Sequence, residues 1–211
     1  MIGVLGGTFD PVHNGHCRIG LELYQQLGLD ELRFVPCRQP PHRSMPQAND
    51  VQRLAMLQLA IAGQSEFVID ERELRRDGPS YMVDTLASMR AEEQETPLCL
   101  ILGGDAFTAL TSWHRWQQLV ELAHLVVAHR PGVALMFEGE LLDLYQRCCV
   151  DDPARLSERP AGKILLCPVT ALDISSTMIR EQMAMGGSAR YLLPDDVWVY
   201  MQQQRLYLSD V

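Results

Sequence analysis

Hydrophobic and polar residues follow each other along the chain in two kinds of block. Short, mostly apolar blocks occur at IGVL (2–5), ELRFVP (31–36), FVID (67–70), LCLILG (98–103), HLVVAH (124–129) and KILLCP (163–168). The last three have the nearly continuous apolar character of strands that are covered on both faces. The pattern therefore predicts a strand at each block, and most of these strands should be buried.

The segments between these blocks repeat with the period of an α-helix. HCRIGLELYQQLG (16–28) places Cys17, Leu21 and Tyr24 on one helical face. Asp50 is expected to cap a second helix, and Ser80 a third that runs to about Glu93. Strands that alternate with helices predict an α/β fold with a doubly wound, mostly parallel sheet. We expect a single domain over residues 1–211, with a small helical C-terminal portion.

Composition narrows the choice of partners and compartment. The net charge of −9 disfavours general binding to nucleic acid or to anionic membranes, because the average field repels polyanions. No apolar run approaches the ~18 residues needed to cross a bilayer, and no signal peptide is visible. The six cysteines form no CxxC pair, which indicates reduced thiols. We expect a cytoplasmic protein that binds neither nucleic acid nor membrane.

The first chemically informative segment is GGTFDPVHNGH (6–16), between the first strand and the first helix. The carboxyl end of a strand beside a helix N-terminus is where α/β proteins bind phosphates. Gly6 and Gly7 permit close approach of a ligand to the backbone, and Gly15 keeps the helix start free of a Cβ. The string matches neither the GxGxxG fingerprint nor the P-loop.

His13 and His16 in this segment allow three interpretations. A metal pair would need a further ligand, and no acidic or cysteine partner falls at a ligand spacing. A structural pair would bond to backbone carbonyls. In the third interpretation both imidazoles donate hydrogen bonds to phosphate oxygens, which they can do whether neutral or charged. The third fits the glycines as well as the histidines.

A second anion site is predicted at ISSTMIR (174–180). Ser175 or Ser176 would cap a helix that ends near Gly186, with Arg180 one turn inside. Hydroxyls, free N–H groups and a guanidinium at a helix start suit a phosphate. An ordinary serine cap with a solvated arginine is the alternative.

Together, HNGH (13–16) and ISSTMIR resemble the HxGH and ISSTxIR motifs of the nucleotidylyltransferase superfamily. The resemblance implies a Rossmann-like fold and transfer of a nucleoside monophosphate from a triphosphate to a phosphate-bearing acceptor. It implies catalytic roles for His13, His16 and Arg180, and Mg²⁺ accompanying ATP, with no metal-binding residues of the protein. The implied ATP-binding residues are Gly7, Thr8, Phe9, His13, Gly15, His16, Gly103, Asp105, Ile174, Ser175, Ser176 and Arg180.

Further segments resemble nicotinate-nucleotide adenylyltransferases almost from end to end. They are PCRQPPHR (36–43), GPSYMVDTL (78–86), LGGDAFTALTSWHRWQQL (102–119), VVAHRPG (126–132) and LLPDDVWVYMQQQRLY (192–207). Departures from the family pattern are mild: Cys17, Arg43, Met82 and His129. The resemblance implies that nicotinate mononucleotide is bound by Thr85, Asp105, Trp113, His114, Arg130, His42 and Arg43.

The residues themselves leave other roles open. Trp113 could be a core residue, although Trp116 suits that role better, and Asp105 could be a simple helix cap. Arg130 could form a surface salt bridge, and His42 and Arg43 could belong to a merely solvated loop.

The expected function is transfer of the adenylyl group of ATP to nicotinate mononucleotide, giving deamido-NAD and pyrophosphate in NAD biosynthesis. One alternative is the same chemistry on nicotinamide mononucleotide or phosphopantetheine. Another is a non-catalytic nucleotide-binding regulator on the same fold, and a zinc protein is a more distant one. The sequence leaves association into a homo-oligomer open.

Overall fold

The computed structural model describes residues 1–41, 45–132, 134–170 and 172–208. Its strands are β1 (Ile2–Gly7), β2 (Glu31–Pro36), β3 (Phe67–Ile69), β4 (Leu98–Gly103), β5 (His124–His129), β6 (Cys149–Val150) and β7 (Ile164–Pro168). A strand therefore occurs at every apolar block that the sequence pattern selected.

The helices lie between the strands and after the last one. They are α1 (Asn14–Leu27), α2 (Asp50–Ile61), α3 (Arg72–Arg75), α4 (Met82–Glu92), α5 (Gly104–Thr108), α6 (Leu119–Leu122), α7 (Gly139–Cys148), α8 (Ser176–Ala184) and α9 (Asp195–Gln203). Short 3₁₀ helices occur at Leu110–Ser112, Trp116–Gln118 and Pro153–Glu158.

The seven described strands form one sheet in the order β3-β2-β1-β4-β5-β7-β6. All neighbouring strands run parallel. The chain builds outward from β1 to β3 and then returns to place β4 on the other side of β1. This is the doubly wound arrangement that the sequence predicted, and the strand order reverses between β1 and β4.

Alternate residues of the central strands enter two hydrophobic clusters, one on each face of the sheet. On β4, Cys99 and Ile101 belong to the first cluster, whereas Leu98, Leu100 and Leu102 belong to the second. The first cluster contains buried residues of α1, α2, α8 and α9, and the second contains those of α4 and α7. The C-terminal helices thus share a core with the first helix of the chain.

Two predicted helix caps are wrong by one residue. Ser80 does not cap α4, because its Oγ accepts the N–H groups of Arg38 (3.0 Å) and Gln39 (3.2 Å), and the helix begins after Tyr81. Asp50 is the first residue of α2 rather than its cap. Asn49 caps that helix, because its Oδ1 accepts the N–H of Gln52 at 2.9 Å.

Candidate active site

The first segment that the sequence selected as phosphate-binding, residues 6–16, lies at the strand-order reversal between β1 and β4. β1 ends at Gly7 and leads through residues 8–13 into α1, while β4 ends at Gly103 and leads directly into α5. Because parallel strands share one carboxyl edge, both helix N-termini face the same crevice. In doubly wound sheets ligands bind at this position.

The N-terminus of α1 fixes the orientation of His16. His13 is the N-cap, with extended backbone, and its main-chain N–H donates to Nδ1 of His16 at 3.3 Å. Since Nδ1 is an acceptor there, a neutral His16 carries its proton on Nε2. The two imidazole centroids are 3.8 Å apart. The ring of His16 also contacts that of Phe9, at a centroid distance of 5.1 Å.

His13 is buried, with 6% of its surface exposed, and burial lowers the pKa of its imidazole to about 4. At neutral pH the ring is therefore uncharged. Its Nδ1 has no hydrogen-bond partner among the described residues. A Cβ at residue 15 would lie 2.9 Å from that nitrogen, so Gly15 provides the space that the His13 ring occupies.

The second predicted motif meets the first directly. Ser175 caps α8, its Oγ accepting the N–H of Met178 at 3.2 Å, as one of the two predicted caps. Ser176 Oγ donates to the carbonyl of Pro11 at 2.9 Å, and Arg180 Nη1 donates to the carbonyl of Asp10 at 2.7 Å. The structure therefore brings His13, His16, Ser176 and Arg180 to one end of the sheet.

The other residues predicted to bind ATP surround this centre. Phe9 is buried with a positive φ of 50°, and a Cβ on Gly7 would lie 2.9 Å from its ring. The carbonyl of Ile174 lies 3.7 Å from where a Cβ of Gly15 would be. Gly103 is the N-cap of α5, and Asp105 is an exposed residue of its first turn. The alternative that Asp105 caps the helix is therefore wrong.

Sequence reasoning missed one buried cation beneath the first loop. Arg53 is fully buried, and its guanidinium donates to the carbonyl of Thr8 and to Asp50 Oδ1, each at 2.6 Å. An arginine in α2 carries no motif that would mark it. Only its complete burial in a predicted amphipathic helix distinguishes it, and that burial depends on tertiary packing.

The residues predicted to bind the acceptor lie on the side of the second cluster. Thr85 is fully buried, and its hydroxyl donates to Glu73 Oε1 at 2.5 Å. Trp113 is half-buried and packs on the second cluster, as Trp116 does. The exposed ring of His114 stacks on that of Tyr81, with a centroid distance of 4.3 Å. The Thr85 hydroxyl is therefore engaged within the protein, whereas Trp113 and His114 remain accessible.

Arg130 follows the end of β5 and pairs with Asp173 at 2.9 Å. Both side chains are more than half exposed, so this pair contributes little to stability and a phosphate could replace Asp173. His42 and Arg43 lie outside the described residues.

Two further observations concern metals and membranes. Within residues 1–41, 45–132, 134–170 and 172–208, no three His, Cys, Asp or Glu side chains cluster so that they could bind a metal ion. No helix in these same ranges has the length and apolar character needed to cross a bilayer.

Comparison with known proteins assigns the fold and the motifs to a family. A model of the family described as cytidylyltransferase-like matches residues 4–182. A protein of Methylococcus capsulatus named "Probable nicotinate-nucleotide adenylyltransferase" is 50% identical over 208 residues, covering 98% of this chain and 99% of that protein. The chain belongs to the family of nicotinate-nucleotide adenylyltransferases.

Other members and solved structures agree with the assignment. A nicotinate-nucleotide adenylyltransferase homologue of Aeromonas salmonicida is 46% identical over 209 residues, covering 99% of this chain and 98% of its own. The Plasmodium falciparum nicotinic acid mononucleotide adenylyltransferase complexed with NaAD superposes with a TM-score of 0.74 at 17% identity, covering 98% of this chain and 96% of that one. At that identity the likeness establishes a common fold, which confirms the Rossmann-like architecture of the nucleotidylyltransferases.

Proposed function

We propose that this nicotinate-nucleotide adenylyltransferase transfers the adenylyl group of ATP to nicotinate mononucleotide, releasing pyrophosphate and forming deamido-NAD. The observation that carries the site assignment is the meeting of two motifs more than 160 residues apart in the sequence. Ser176 and Arg180 bond to the carbonyls of Pro11 and Asp10, which are two and three residues before His13. The names of the relatives that are 46–50% identical support the choice of substrates.

The reaction needs positioning and charge stabilisation rather than a base. A phosphate monoester has a second pKa near ~6, so the acceptor is largely a dianion at neutral pH and needs no deprotonation. The difficulty is to align two polyanions and to stabilise charge on the α-phosphate and the leaving pyrophosphate. In an acidic protein, local groups must supply that stabilisation.

In this proposal, three groups at the start of α1 and in α8 provide that stabilisation. The Nε2–H of His16, the neutral ring of His13 and the guanidinium of Arg180 act as the catalytic donors. Each fixed donor of this kind is typically worth ~10²–10³ in rate. The buried Nδ1 of His13 lacks a partner among the described residues, which costs about 1–3 kcal/mol until a ligand or water pairs with it.

The remaining ATP-binding residues have defined tasks in this proposal. The backbone of Gly7, Thr8, Phe9 and Gly15 lines the phosphate path, where side chains would obstruct it. Ile174, Ser175 and Ser176 place the start of α8 against the triphosphate, and Gly103 and Asp105 reach the ribose from the end of β4. An exposed carboxylate such as that of Asp105 is a suitable acceptor for ribose hydroxyls.

The acceptor binds on the side of the second cluster. The ring of Trp113 stacks on the pyridine, a contact worth ~0.5–1.5 kcal/mol beyond its burial. The main chain at His114 binds the nicotinate carboxylate, and Thr85 borders the same pocket, with its hydroxyl already bonded to Glu73. Asp105 is shared with this subsite, and Arg130 exchanges Asp173 for the phosphate. His42 and Arg43 are assigned to acceptor binding on the resemblance alone.

Mg²⁺ enters with ATP in this proposal, held mainly by phosphate oxygens and water. The donor set fits this mode of binding, because the four donors named around the triphosphate (His13, His16, Ser176 and Arg180) include no carboxylate. When bound, the ion neutralises phosphate charge. The cytoplasm is the proposed compartment, where ATP is available and the six free cysteines stay reduced.

The decisive assay measures pyrophosphate release with ATP and each of three acceptors in parallel. We expect nicotinate mononucleotide to give the highest kcat/KM, ahead of nicotinamide mononucleotide and phosphopantetheine. Faster turnover of either alternative would overturn the choice of acceptor. Tight ATP binding without turnover of any acceptor would favour the non-catalytic regulator, and stoichiometric zinc in the purified protein would favour the zinc protein.

A further inference from the structure

A buried carboxylate links the active site to the end of the chain. Asp10 is 4% exposed and lies between the two catalytic motifs. Its Oδ2 accepts the N–H of Gln47 at 2.8 Å, and its Oδ1 accepts the N–H of Ala48 at 3.1 Å. The hydroxyl of Tyr207 donates to the same Oδ1 at 2.7 Å. Three donors from two distant segments therefore bond to this carboxylate, two of them at Oδ1.

The guanidinium of Arg180 forms a long ion pair with the carboxylate but no hydrogen bond to it. Arg180 Nη1 donates to the main-chain carbonyl of Asp10 at 2.7 Å but is 3.9 Å from Oδ2. A hydrogen bond at that distance is not formed. The guanidinium thus keeps a fixed position on a neutral carbonyl. Its charge remains available to an incoming triphosphate because the carboxylate is occupied by other donors.

Tyr207 is well suited to hold this arrangement. It follows α9 and is 9% exposed within the first hydrophobic cluster. Burial, together with the negative charge of Asp10, raises the pKa of the Tyr207 phenol, so the hydroxyl stays protonated and remains a donor. The other cation near the phenol, Arg53, is itself engaged by Thr8 and Asp50.

We propose that Tyr207 is a positioning residue for adenylyl transfer, which acts through Asp10 on Arg180. This inference rests on the proposed role of Arg180. Without the Tyr207 hydroxyl, Oδ1 would keep a single donor, the N–H of Ala48. The carboxylate would then carry more unshared negative charge. It would attract the guanidinium, whose Nη1 is 3.9 Å from Oδ2, and draw it from the triphosphate.

The direct test is Tyr207→Phe, which removes one oxygen from a buried ring. We expect kcat to fall about 5- to 10-fold, the equivalent of one hydrogen bond, with KM for nicotinate mononucleotide unchanged. Tyr200→Phe is the matched control, because Tyr200 also packs on the first cluster from α9 and no hydrogen bond of its hydroxyl to the described residues is observed. Equal kcat values for Tyr207→Phe and Tyr200→Phe would overturn the proposal.

A double-mutant cycle separates positioning from general destabilisation. In an Arg180→Ala background, Tyr207→Phe should cause no further loss of kcat, because the group on which it acts is gone. The same fold loss in both backgrounds would overturn the proposal while leaving the role of Arg180 intact. If Arg180→Ala alone kept full activity, the assignment of Arg180 itself would fail instead.

Asp10→Asn provides a second cycle. The asparagine keeps the size of the side chain but removes the charge that would attract the guanidinium. In an Asp10→Asn background, Tyr207→Phe should therefore cause no further loss of kcat. Thermal unfolding of every variant is measured alongside, so that loss of folding is distinguished from loss of catalysis. The same fold loss from Tyr207→Phe in the Asp10→Asn and wild-type backgrounds would refute the link.

Discussion

At the scale of single residues, the proposed site depends on two histidines at the start of α1, of which His13 is uncharged at neutral pH. Their types and spacing are visible in the sequence, and together with the neighbouring glycines they favour a phosphate-binding role. The tautomer of His16 is not visible, because it depends on the N–H of His13 reaching Nδ1 at 3.3 Å. The lowered pKa of His13 is equally hidden, since it results from burial in the folded chain.

Replacing His16 tests the donor role. We expect His16→Ala to lower kcat by ~10²-fold or more, because one preorganised donor to the developing charge is lost. His16→Gln should recover part of that rate, since its amide can present an N–H near the position of Nε2. Circular dichroism should show that both variants fold. A His16→Ala enzyme with the kcat of the wild type would refute the assignment.

The lowered pKa of His13 predicts how stability depends on pH. The unfolded ring has a pKa near ~6.5 and the folded ring about 4, so the unfolded state binds more protons between these values. The stability that the neutral His13 ring contributes is fully present above pH ~6.5 and is lost as the pH falls toward 4. At pH 5 the free energy of unfolding should be lower by about 2 kcal/mol than at neutral pH for this reason.

Urea unfolding at pH 7 and pH 5 measures this effect. His13→Asn should lose less free energy of unfolding than the wild type over the same interval. The comparison between the two proteins removes the contribution of His124, whose pKa is also lowered by burial. Identical pH dependence of the wild type and His13→Asn would contradict the burial of an uncharged ring.

At the scale of elements, the apolar blocks predicted the strands well, because strands buried on both faces have nearly continuous apolar sequences. Capping residues predicted the helix starts less well. The hydroxyl of Ser80 looks like a cap in the sequence, yet it accepts two N–H groups from the distant segment at Arg38 and Gln39. Tertiary partners of this kind leave no local pattern, and the same holds for the bond between Ser176 and Pro11.

The start of α1 yields a prediction about backbone space. Gly15→Ala would place a methyl group 2.9 Å from Nδ1 of His13 and so displace the ring. We expect a fall in kcat of at least 10-fold, although alanine normally favours a helix by up to ~1 kcal/mol over glycine. Gly63→Ala is the matched control, since a Cβ there meets nothing within 4 Å. Assays of kcat and melting temperature for both variants decide the matter, and an active Gly15→Ala enzyme would show that the His13 ring position is not critical.

At the scale of the whole molecule, the sheet separates two cores that nonetheless share every central strand. Leu5 of β1 enters the first cluster, while Val4 enters the second. The C-terminal residues Val197, Met201 and Tyr207 complete the first cluster rather than forming a core of their own. The sequence indicated a small C-terminal helical portion, but it could not show that this portion closes the core begun by the first helix.

We therefore propose that residues 1–211 unfold as one cooperative unit, and tryptophans report on the two faces separately. Trp198 packs on the first cluster, whereas Trp113 and Trp116 pack on the second. In the double variant Trp113→Phe/Trp116→Phe, the remaining Trp198 reports on the first cluster. In Trp198→Phe, the remaining Trp113 and Trp116 report on the second.

Because the two clusters share the backbone of β1 and β4, unfolding of one cluster should remove the support of the other. With stabilities matched by far-UV circular dichroism, the two fluorescence transitions should coincide within error in urea. A transition on one face that precedes the other would show two folding units.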